Sequence, residues 1–122
     1  MSAVIEAFVR QLAGISPVLD AMLEEHLKDN FGEILPHVFL GDITRHAVAM
    51  CENAESGRSL GAQRELKSLL DSMEHAYATG NTEVQELIAA SFLENLPANG
   101  EPGSALRLMI GPKLSGQLRK MA

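Results

Sequence analysis

Residues 16–32 read SPVLDAMLEEHLKDNFG, and this stretch decides the fold. Ser16 followed by Pro17 is a helix start, because the serine hydroxyl accepts an orphan first-turn N–H and proline there forfeits no helical hydrogen bond. Leu19, Met22, Leu23, His26 and Leu27 then recur at the spacing that lines up one face of an α-helix. Asp20, Glu24, Glu25, Lys28 and Asp29 fall on the other side, and Gly32 closes the helix just after Asn30. A half-buried strand would alternate apolar and polar residues, and no stretch of the chain does so.

The same reading extends outward in both directions. Ser2 caps a first helix with Val4, Ile5, Phe8, Val9 and Leu12 as its apolar positions, ended by Gly14. Residues 33–40, which contain Pro36, read as a short helical turn packing Leu35, Val38 and Phe39. Gly41-Asp42 then reads as a turn and cap for a helix through Ile43, Ala47, Met50 and Cys51, ending near Gly57. Ser59 starts the next, whose stripe is Leu66, Leu69, Leu70, Met73 and Tyr77, and Gly80 is a suitable terminating residue. Asn81-Thr82 opens another, with Thr82 and Gln85 spaced for a capping box and Val84, Leu87, Ile88, Ser91, Phe92 and Asn95 facing inward. PANGEPG (residues 97–103) is dense in turn residues and reads as a mobile loop. Two short helical pieces follow, 104–110 and 113–121, split by Gly111-Pro112. The expectation is one all-α domain spanning 1–122, a compact multi-helix bundle or short helical stack of six to seven helical segments.

Composition narrows the function. The chain has 122 residues, 46% of them apolar, but only 4% aromatic and no Trp, so Leu, Ile, Val, Met and Ala build the core. A lone Cys51 excludes an intramolecular disulfide framework and a cysteine-based zinc site. The N-terminus lacks the basic and long apolar regions of a signal peptide, and no run is apolar enough to span a bilayer, so a cytoplasmic protein is expected. The net charge of −6 is uneven: residues 1–57 carry −6, 58–103 carry −4, and 104–122 carry +4 through Arg107, Lys113, Arg119 and Lys120. An acidic body repels phosphate backbones and attracts a basic partner.

Catalytic chemistry finds no support in the residues. Cys51 falls on an apolar helix face, the ordinary setting of an inert buried thiol. Among His26, His37, His46 and His75, only His46 has a potential metal-ligating neighbour at helical spacing, Asp42, and no HExxH pattern accompanies the pair. His26, on the apolar face, reads as a core histidine with a hydrogen-bond partner. No metal and no cofactor are expected, and the chain does not read as an enzyme. Binding needs no such geometry. Asp20, Glu24, Glu25, Asp29, Glu33 and Asp42 crowd one region of the sequence and suit a basic cleft on another protein, although acids on a helix face are also its ordinary solvated side.

HLKDNFGEILPHVFLGDITR (26–45), GNTEVQELIAASFLENLP (80–97) and LMIGPKL (108–114) resemble a poorly characterised family of small acidic bacterial proteins. The resemblance covers roughly residues 5–118. Genes of that family lie beside polymorphic or type VI secreted toxins, so the resemblance implies an immunity protein that blocks a cognate toxin in the cytoplasm. It names no toxin and transfers no functional residue. The alternative from another class is a helical adaptor or homo-oligomeric structural protein without enzymatic activity.

Overall fold

A computed structural model describes residues 2–55 and 60–121. Seven α-helices occur among them: α1 (Ala3–Ala13), α2 (Pro17–Asp29), α3 (Pro36–Glu55), α4 (Leu60–Ala78), α5 (Thr82–Ser91), α6 (Leu106–Met109) and α7 (Pro112–Met121). A short 3₁₀ turn, Leu93–Asn95, follows α5, and the described residues contain no strand. The helices form a compact bundle in which α3 is the spine, packed on α4 and α5, with α1 and α2 against one side and α7 against α4. Phe39, Leu40, Ile43 and Ala47 of α3 are wholly buried, as are Leu12, Leu66, Leu69, Met73, Ile88 and Phe92 around them. Cys51 is buried in the same cluster.

The starts of α1 and α2 follow the sequence. Ser2 Oγ accepts the Ile5 N–H at 3.2 Å and Ser16 Oγ accepts that of Leu19 at 3.1 Å. α5 differs in detail: Asn81, not Thr82, is the cap, its Oδ1 accepting from Val84 N at 3.1 Å. Gln85 closes no capping box and instead donates to the Tyr77 carbonyl at 3.0 Å.

The largest departure is α3. Sequence reading places a turn and an Asp42 cap at Gly41-Asp42, yet the helix begins at Pro36 and runs through both residues. Phe39 N donates to Leu35 O at 2.9 Å, so Leu35 holds the cap position and Pro36 is the first helical residue. Phe39, Leu40, Ile43, Ala47, Met50 and Cys51 form one buried stripe that keeps helical phase across Gly41. A glycine inside a helix costs about 1 kcal/mol, whereas each large apolar side chain buried gains about 1.5–3 kcal/mol, so burial decides. The expected end of this helix near Gly57, and the expected start of the next at Ser59, lie outside the described residues.

α7 receives its N-terminal cap from a distant helix. Glu74 of α4 accepts the N–H groups of Lys113 at 2.9 Å and Leu114 at 3.0 Å, donors that α7 cannot satisfy within itself. A carboxylate there also meets the positive end of the helix dipole. A side chain on Gly111 would place its Cβ 2.5 Å from Glu74 Cδ, so the glycine makes room for the cap. Between α5 and α6, residues 97–103 form successive turns, and Arg107 Nε donates back to the Pro97 carbonyl at 2.6 Å.

Two stability measurements check this account. Gly41→Ala should raise unfolding free energy by about 0.5–1 kcal/mol, because nothing but the end of Arg45 approaches a Cβ there; a turn at this position would give the opposite sign. Glu74→Ala and Gly111→Ala should each cost about 1–2 kcal/mol in urea unfolding, and the double variant distinctly less than their sum.

Candidate functional site

The six acidic residues singled out from the sequence do not form one continuous face. Successive residues of a helix turn by about 100°, so Glu25 and Asp29 point to a different side of α2 from Asp20 and Glu24. Glu25 and Asp29 border a cleft of about 470 Å³ between α2 and α3, which Asp42 enters from α3. Met22 and Val38 supply apolar walls, and His26 and Asn30 complete the lining. Asp20 and Glu24 are exposed but away from this cleft, and Glu24 forms no ion pair with Lys28 despite the favourable spacing. Glu33 lies in a separate depression with Glu6, Arg10, Gly32 and Ile34.

Three local features build the cleft. His26 is buried within α2, and its Nε2 accepts the Leu35 N–H at 2.9 Å, which fixes where the chain enters α3. The ring also meets Phe39 at 5.4 Å between centroids, so the expected core histidine with a hydrogen-bond partner is present. Asn30 Nδ2 donates to the His26 carbonyl at 2.8 Å and finishes the end of α2. On α3, Val38 and Asp42 are four residues apart and so share one side of the helix.

The carboxylates differ in their partners. Asp42 accepts from Arg45 in an exposed ion pair, an interaction worth at most about 1 kcal/mol. Glu25 and Asp29 make no ion pair and no side-chain hydrogen bond among the described residues. Asp29 is moreover the last residue of α2, beside the negative end of its dipole, where an acid is disfavoured by about 0.3–1 kcal/mol. These two acids do nothing visible for the fold.

The apolar rim was not legible from the sequence. Leu35 and Val38 were expected to pack inward with Phe39, but only Phe39 does; Leu35 is 38% and Val38 51% exposed. Phe31 is 99% exposed. The available signal was its position between a helix-ending Asn30 and Gly32, where an aromatic ring has no core to reach. Tyr77 lies half-buried against the core.

Groups suited to reaction are engaged in holding helices together. His46 Nε2 sits 2.9 Å from Glu65 Oε2 and ties α3 to α4, not to Asp42. His37 Nδ1 lies 2.6 Å from the Ser91 hydroxyl, joining α3 to α5, and Ser91 is 4% exposed. Among the described residues no three His, Cys, Asp or Glu side chains converge to hold a metal ion, and no helix is long and apolar enough to cross a membrane.

Neither a curated protein nor a solved structure matches the chain. Residues 7–122 match a family model described as a domain of unknown function, DUF7674, and the chain belongs to that family of small helical domains.

Proposed function

We propose that the protein acts by binding another protein: it is an immunity protein that neutralises a cognate secreted bacterial toxin in the cytoplasm by covering a basic active-site cleft. The observation that carries this reading is the pair Glu25 and Asp29, left without partners beside an apolar-walled cleft. Folding gives no reason to leave Asp29 unpaired at the negative end of its helix with Glu25 unpaired one turn before it, whereas a substrate site built for phosphates presents Arg and Lys that these acids match. The resemblance carried by residues 26–45, 80–97 and 108–114 supports the same reading. An acidic inhibitor facing a basic cleft gains association rate by electrostatic steering, and needs about 1,200–2,000 Å² of contact for a stable complex.

A second reading has its own observation. Leu108 is 89% and Met109 44% exposed in the one segment whose charge is wholly basic. An apolar, cationic patch on an otherwise acidic molecule favours an adaptor or a self-associating subunit.

Affinity capture of the tagged chain from its native host, followed by co-expression with the captured protein, separates the two. Recovery of one stoichiometric toxic protein, harmless when co-expressed, establishes immunity; concentration-dependent assembly of the chain with itself alone establishes the second reading. Given a captured toxin, Glu25→Lys with Asp29→Lys should slow association about tenfold or more at low salt, with the gap to wild type narrowing as salt rises in stopped-flow measurements. The pair Asp20→Lys and Glu24→Lys should have the smaller effect.

A further inference from the structure

Phe31 stands against two folding preferences at once. Gly32 N donates to Leu27 O at 2.7 Å, the long-range bond of a Schellman helix ending, which puts Phe31 at the left-handed position just past the cap. Its φ is 55°, a conformation that glycine adopts freely and a bulky L-residue adopts at a cost. The ring that bears this cost is 99% exposed, so no burial offsets it. A large apolar side chain left in water at a strained backbone position has its return in a contact outside the molecule.

The surroundings specify that contact. Leu35, Val38 and Asp42 follow one another at three- and four-residue steps along the outer side of the α3 start. Met22, Glu25 and Asp29 do the same along α2. Val38, Asp42 and the three α2 residues border the same cleft, and Phe31 directly follows Asn30, another of its lining residues. The cleft is thus walled by Met22 and Val38 and edged by carboxylates; its lining contains no Lys or Arg, although Arg45 pairs with Asp42 at its rim, and Phe31 and Leu35 stand next to it in sequence.

We propose that this surface docks a basic amphipathic segment of a partner protein, whose arginine or lysine enters the cleft between Glu25 and Asp29 while its apolar residues cover Phe31 and Val38. The inference rests on the reading that the protein works by binding another protein, and it names the docking surface and the chemistry of the occupant. A long cationic side chain fits in both parts: its methylene stem lies along Met22 and Val38, and its head meets the two carboxylates. An acidic partner is repelled from the same place. Aromatic and arginine residues dominate the energetics of such contacts, and Phe31 supplies the aromatic anchor from this side.

The test uses the full chain labelled with ¹⁵N and a blocked pentapeptide of alternating leucine and arginine. A second peptide carries neutral citrulline in place of arginine. The arginine peptide should give saturable amide shifts at Met22, Glu25, Asp29, Phe31 and Val38, and the citrulline peptide should bind about tenfold or more weakly, since charge-assisted hydrogen bonds exceed neutral ones. Glu25→Gln with Asp29→Asn should lose the binding, whereas Asp20→Asn with Glu24→Gln should retain it. Phe31→Gly is the sharpest variant, because it should melt at a higher temperature than wild type yet bind the arginine peptide about tenfold or more weakly. Equal binding of the two peptides, shifts centred on Asp20 and Glu24, absence of saturation, or full binding by Phe31→Gly would each overturn the proposal. Capture of a toxin by a chain that ignores the peptide would leave immunity standing and remove this surface. Peptide binding at the cleft without toxin neutralisation would do the reverse.

Discussion

The N–H of Leu35 precedes α3 and has no helical carbonyl to receive it; the imidazole Nε2 of His26 takes it instead, 2.9 Å away. Much of the molecule's geometry depends on this bond. It joins the last turn of α2 to the residue that caps α3, so six residues suffice to connect two long helices. Because Leu35 is held, Pro36 starts α3 in a fixed phase, and that phase delivers Phe39, Leu40, Ile43 and Ala47 to the core. The opposite consequence of the same phase is that Val38 and Asp42 face the cleft beside α2. An unpaired buried donor or acceptor costs about 1–3 kcal/mol, so the bond is a constraint on the turn as well as a stabilising contact.

Helix content was readable because apolar residues recur at helical spacing and caps stand where helices begin. Ser2 and Ser16 needed no tertiary information, since each cap is satisfied within its own first turn. α3 departs from the sequence reading because local chemistry and burial disagree there. Asp42 is a better cap than Leu35 and Gly41 a poor helix former, yet the apolar stripe continues unbroken through both. Pro36 was the decisive signal, and it gains its full meaning only once the Leu35 N–H has a partner nine residues back. The cap of α7 was not legible at all, because Glu74 lies about forty positions before the groups it serves. Its trace in the sequence is Gly111, which looks like a breaker and acts as clearance for a carboxylate.

The acidic site was half legible. Sequence distance grouped Asp20, Glu24, Glu25, Asp29, Glu33 and Asp42, and helical rotation divides them among three places. What the sequence could not give was the apolar half of the surface. Val38 looks like core because it adjoins Phe39, and only the orientation of the first turn of α3 turns it outward. Polar contacts that resemble catalytic pairs, such as His37 with Ser91 and His46 with Glu65, are seams between helices.

The carboxylates around Phe31 have a consequence for the behaviour of many copies together. A bare aromatic ring is the kind of surface through which molecules adhere indiscriminately, and Leu35 and Val38 are exposed a few residues further along the chain. Here every copy that presents the ring also presents Glu25, Asp29 and Glu33 within a few residues of it, on a molecule of net charge −6. Two such faces repel before they touch, as charged gatekeepers do beside sticky strands. The same carboxylates that suit the surface to a cationic partner thus also weigh against like-charged copies meeting through the aromatic knob.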